Sequence, residues 1–79
     1  MDVQRRLNNE KQFDDWTEKK DRGRIYYFEI PGKCGWFSKY LKETDKDEIA
    51  LRFWQEIYEE KHNLREIYEK YPVDNGHKN

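Results

Sequence analysis

Large apolar residues fall in two regimes along this chain. Before position 25 they are sparse: Val3 and Leu7 stand four apart, and Phe13 and Trp16 three apart. That spacing suits a short helix but is too brief to demand one. Residues 1–22 therefore read as an N-terminal helix or a loose segment, closed by Gly23. From Arg24 the pattern changes. Ile25-Tyr26-Tyr27-Phe28-Glu29-Ile30 is built from residues that favour strands. Pro31-Gly32-Lys33-Cys34-Gly35 is a loop signal, Trp36 to Thr44 reads as a second strand, and Asp45-Lys46-Asp47-Glu48 as a polar turn.

Residues 49–71 satisfy two periods. As a helix, they repeat apolar residues at Ala50, Ile57, Leu64 and Tyr71, with Thr44 or Asp45 as a cap and Glu48–Arg52 and Glu66–Lys70 as four-apart pairs. As a hairpin, Lys61-His62-Asn63 is the loop, with Asn63 in the left-handed position. The hairpin register sets Ile57 opposite Ile67, Phe53 opposite Tyr71 and Glu59 opposite Arg65.

The other loops extend that register. Trp36 falls opposite Ile57, Ser38 opposite Gln55 and Tyr40 opposite Phe53; Ile30 falls opposite Trp36, Phe28 opposite Ser38 and Tyr26 opposite Tyr40. Tyr26, Phe28, Ile30, Trp36, Tyr40, Leu51, Phe53, Ile57, Ile67 and Tyr71 then share one face, which a one-residue slip would scatter. The expected fold is α+β and mainly β: a four-stranded antiparallel meander at about 24–30, 36–44, 49–60 and 64–71. The alternative is a ββα arrangement with a long helix over 46–71. Either way residues 23–74 form one small domain, with 75–79 as a tail.

The run RIYYFEIPGKCGWFSKYLKE, followed by FWQEIYEE and EIYEKYPVDNGH, resembles a family of short uncharacterised prokaryotic proteins. The resemblance covers residues 24–77 and implies a strand-turn-strand after the FWQEIYEE block. It implies no catalytic residue and no ligand.

Composition changes the picture in one respect. Charged residues make up 42% and the apolar set 34% of the 79 residues, a balance that alone would suggest disorder, yet 16% are aromatic. Disordered chains are poor in aromatics, so the core is expected to be built from rings, each burying more area than an aliphatic side chain. No run approaches the roughly twenty apolar residues of a membrane helix, nothing at the start has a secretory pattern, and the single cysteine forms no internal disulfide. A cytoplasmic location is expected. Residues 45–71 carry five Lys/Arg against eight Asp/Glu, which leaves no basic footprint for duplex DNA.

The chemical motifs are thin. Cys34 beside Lys33 has only His62 and His77 as possible bases. No CxxC or HExxH exists, and Asp45-x-Asp47 lacks the remainder of a calcium loop. Gly32-Lys33 lacks the upstream glycine and following hydroxyl of a phosphate loop. The chain therefore reads as non-enzymatic, with no cofactor and no metal. Two features stand above this background. Ser38, Gln55 and Glu69 line up as a polar stripe across the expected apolar face, as a hydrogen-bonded row, a ligand contact, or a sign that the register is wrong. The opposite face carries Tyr27, Phe37, Leu41, Trp54, Tyr58 and Tyr68, too many rings to leave bare on a monomer. Either residues 3–20 pack over it within the chain, or, as the preferred reading, this is a protein-interaction or regulatory domain that self-associates as a homodimer through that face. The alternatives are single-stranded nucleic acid stacking on Trp36, Trp54 or Tyr58, and a toxin–antitoxin component on size and charge.

Overall fold

A computed structural model describes residues 1–72. Its first element is helix α1, Val3–Gln12, whose N-cap Asp2 accepts the Arg5 N–H at 3.0 Å. Five strands follow: β1 Asp15–Glu18, β2 Arg24–Pro31, β3 Phe37–Thr44, β4 Ala50–Tyr58 and β5 Leu64–Tyr71. They form one antiparallel sheet in sequence order, β1-β2-β3-β4-β5. The fold is thus mainly β with one N-terminal helix. The expected meander is present, and the alternative with a helix over 46–71 is not. A fifth strand at 15–18, which pairs Trp16 with Tyr26 and Thr17 with Ile25, was not expected. The expected tail at 75–79 and His77 lie outside the described residues.

Three of the four hairpins are closed by one geometry. The N–H of Lys19, Asp45 and Glu59 each reaches the carbonyl four residues on, and the N–H of Arg22, Glu48 and His62 each returns to the first residue's carbonyl. Arg22, Glu48 and His62 consequently hold left-handed backbones, with φ of 72°, 67° and 67°. This is a turn followed by a left-handed bulge residue, the pattern that closes three-residue loops. In the last hairpin the left-handed residue is therefore His62, where the sequence reading put Asn63. The remaining hairpin passes through a single 3-10 turn, Lys33–Gly35, with Cys34 and Gly35 left-handed. Glycine is required at 35, because a Cβ there would stand 2.9 Å from the Glu60 Cβ.

The expected pairings are displaced by two residues in the first two expected hairpins: Phe28 faces Tyr40 rather than Ser38, and Tyr40 faces Gln55 rather than Phe53. In the first, β2 runs on to Pro31, paired with Phe37, so a loop of the expected length is centred one residue later, on Cys34; in the second, the register shifts between Glu43 and Thr44. An even displacement preserves the alternation, so the faces stand. In β5 they do not. Phe53 pairs with Tyr71 as expected, but Trp54 pairs with Glu69, and Ile57 with Glu66 while Tyr58 pairs with Leu64. Each step leaves one extra residue on β5, Lys70 and Arg65, and between these bulges the strand is turned over. Ile67 thus leaves the apolar face it was expected to join.

The core lies between α1 and the sheet. Phe13, 1% exposed, packs against the rings of Tyr26, Phe28 and Phe53 at centroid distances of 5.8, 5.4 and 6.4 Å. Phe28 stacks on Tyr40 at 5.1 Å. Ile30, Trp36, Leu51 and Tyr71, expected in the core, are exposed, since one short helix covers one end of the face only.

Candidate functional site

Two constellations flank the sheet: a polar seam under α1, and a ladder of rings on the face that α1 leaves bare. The seam turns on Glu48. Its side chain is fully buried and accepts from Arg6 at 3.1 and 3.3 Å, from Asn9 Nδ2 at 3.3 Å, and from the Tyr26 hydroxyl. Burial alone would push this carboxyl up; the bonds from Tyr26, Asn9 and Arg6 outweigh it and hold it below the usual carboxylate value. Burial, followed by the bond to Glu48, pushes the Tyr26 hydroxyl up. Arg24, buried at 7% exposure, gives Nη1 to Glu10 at 2.7 Å and to the Tyr26 hydroxyl at 3.2 Å, and lies 4.8 Å from the Trp16 ring. Lys42 donates to Asn9 Oδ1 at 2.8 Å, and burial draws its ammonium below the usual lysine value. The left-handed backbone of Glu48 costs a non-glycine residue about 1–2 kcal/mol, which these charge-assisted bonds offset.

Sequence reasoning missed the seam. Glu48 read as one acid in a polar turn, and nothing in the local pattern marks a buried carboxylate. The nearest signal was the pair Arg6 and Glu10 on a helix whose aliphatic residues are too few to dock it.

On the bare face, the pairings put Tyr27, Leu41 and Trp54 in one row and Phe37, Tyr58 and Leu64 in another, with Glu29, Lys39, Glu56 and Ile67 between them. Five of the six residues expected on this face are there. Tyr68 is not: the bulges turn it to the α1 side, opposite Gln55, and bring Ile67 and Glu69 to the bare face instead. The expected polar stripe is divided by the same cause. Gln55 Nε2 donates to Ser38 Oγ at 3.1 Å on the α1 side, while Glu69 on the bare face accepts Arg52 Nε at 2.5 and 2.9 Å.

The face is lined by paired charges. Arg52 lies 4.0 Å over the Trp54 ring, and Lys39 4.7 Å over Tyr27. Glu56 accepts from Trp54 Nε1 at 2.9 Å and from the Tyr58 hydroxyl at 2.7 Å. That bond, together with burial, pushes the Tyr58 hydroxyl up to about 12. Tyr27 donates to Asp15 at 3.1 Å. Leu41 and Trp54 are buried beneath these side chains at 7% and 6% exposure. The accessible apolar part lies toward β5, where Leu64 and Ile67 are 46% and 47% exposed. Phe37 and Tyr58, stacked at 5.0 Å, continue it, and His62 stands edge-on to Phe37 at 5.2 Å.

Cys34 is exposed in its loop and makes no hydrogen bond to a base among the described residues. Among them no cluster of three His, Cys, Asp or Glu is placed to hold a metal ion, and no helix is long and apolar enough to cross a membrane. No family profile, curated protein or solved structure matches the chain.

Proposed function

We propose that the chain is a small non-catalytic protein-interaction module that pairs with a second copy of itself through the bare face of its sheet. The observation that carries this reading is the continuous row Phe37–Tyr58–Leu64 with Ile67 beside it, on a face that no described element covers. Two such sheets stacked face to face bury both rows, as in a β-sandwich, and a two-fold contact uses one patch twice. The flanking row Glu29–Lys39–Glu56 alternates in sign, so a second copy laid across it meets opposite as well as like charges.

Charge on the same face weighs against the nucleic-acid alternative. Asp15, Glu29, Glu43, Glu56 and Glu69 outnumber Lys19, Lys39 and Arg52 there, and Lys19 and Arg52 are already held by Glu43 and Glu69. A strand of phosphates needs a positive track. Kinship with the short prokaryotic proteins and a cytoplasmic setting belong to the same proposal.

Dilution NMR tests it. On dilution from millimolar to low micromolar protein, amide shifts of Phe37, Tyr58, Leu64 and Ile67 move while those of α1 stay. Shifts independent of concentration throughout, or movement confined to α1, overturn the reading.

A further inference from the structure

We propose that α1 opens from the sheet as a separate flap, and that Glu48 is the latch that holds it shut. This concerns the side of the sheet opposite the bare face and does not depend on self-association.

The helix docks by its polar side. Arg6, Asn9 and Glu10, three and four residues apart, are the positions that reach Glu48, Lys42 and Arg24, and Phe13 at the C-cap supplies the buried ring. The aliphatic residues of α1 point elsewhere: Val3 and Leu7 are 63% and 50% exposed. An ordinary surface helix does the reverse, burying its apolar stripe. A segment held by a few directional bonds and one ring separates at lower cost than the strands it covers, and local opening of this kind proceeds without global unfolding.

The turn chemistry singles out Glu48. Three turns share one left-handed position; Arg22 and His62 occupy it with exposed side chains, whereas Glu48 is 2% exposed. The unfavourable backbone at this third turn aims a carboxylate inward, at α1. The groups facing it are Arg6 and Asn9 from α1, Tyr26 from β2 with Arg24 behind its hydroxyl, and Lys42 from β3 through Asn9. Asp45 and Asp47 stand in its own turn, and Asp45 is occupied there, accepting the backbone N–H groups of Asp47 and Ile49 at 2.8 and 3.0 Å. Opening uncovers Tyr26, Phe28 and Phe53, on the same side of the sheet as the exposed Ile30 and Tyr71.

The variant Glu48→Gly separates latch from turn. Glycine suits the left-handed position, so the hairpin is kept while the carboxylate goes. Hydrogen exchange by NMR then reads each element. Loss of the charge-assisted bonds accelerates exchange in α1 roughly tenfold or more, exchange in β3 and β4 quickens by less and stays slower than in α1, and the Phe13 ring protons lose the shift imposed by the neighbouring rings. Two results overturn the proposal. In one, α1 stays as protected as in the parent. In the other, α1, β3 and β4 come to exchange at one common rate or the variant fails to fold, so that helix and sheet are one cooperative unit.

Discussion

Arg22→Gly removes backbone strain without removing a contact, which makes its magnitude calculable. Arg22 sits at φ 72° and its N–H returns to the Lys19 carbonyl at 3.1 Å, a bond that glycine keeps. Its side chain is exposed and makes no ion pair or hydrogen bond among the described residues. Leaving the left-handed region to glycine recovers about 1–2 kcal/mol. Glycine's greater freedom in the unfolded chain returns about 0.5–1 kcal/mol. Taken at the middle of each range, the net stabilisation is about 0.75 kcal/mol, or a rise in Tm of about 3–6 °C for a domain of this size. Thermal unfolding followed by circular dichroism reads it directly. The same substitution at His62 gains less, because the edge contact with Phe37 is lost. At Glu48 it gains the turn term and loses the seam, for a net loss. The order Arg22, His62, Glu48 is the test: no rise for Arg22→Gly, or a Glu48→Gly variant more stable than Arg22→Gly, refutes the reasoning about the shared turn.

Three further outcomes follow from the packing and the charges. Phe13→Ala removes the ring that the seam closes on and costs about 3–5 kcal/mol; against a total of about 4–12 kcal/mol for a chain of this length, urea titration finds a markedly lower midpoint, and a loss below about 1 kcal/mol would contradict the core assignment. Because the Glu48 carboxyl titrates lower in the folded protein than in the unfolded chain, the unfolded state binds more protons between the two values. The contribution of Glu48 is whole above the unfolded value and is lost as pH falls through the folded one. Urea midpoints measured downward from pH 6 should therefore fall less steeply in Glu48→Gln than in the parent; parallel curves would remove Glu48 from the account. Glu56→Gln returns the Tyr58 hydroxyl from about 12 toward its ordinary 10.0, read by ultraviolet absorbance at alkaline pH, and an unmoved titration would mean that Glu56 is not its main partner.

The strands from Arg24 onward were legible because β-branched and aromatic residues alternate between clear loop signals. The faces of β2, β3 and β4 were legible because a displacement of two residues leaves parity untouched. What failed was local. The bulges at Arg65 and Lys70 leave no mark in composition, yet they exchange Ile67 and Glu69 with Tyr68 between the faces. The strand at Asp15–Glu18 is short and mostly exposed, so its pattern carries no apolar alternation. The seam was hidden for a different reason: a buried carboxylate is recognisable only through its partners, and Arg6, Asn9 and Tyr26 come from distant parts of the chain.

Sedimentation equilibrium of the parent and of Leu64→Glu, an exposed substitution on the bare face, tests the central claim most directly. The account predicts a monomer–dimer equilibrium for the parent across micromolar concentrations, with Leu64→Glu monomeric and equally folded by circular dichroism. A parent that stays monomeric at several hundred micromolar, or a Leu64→Glu variant that dimerises as the parent does, would contradict it.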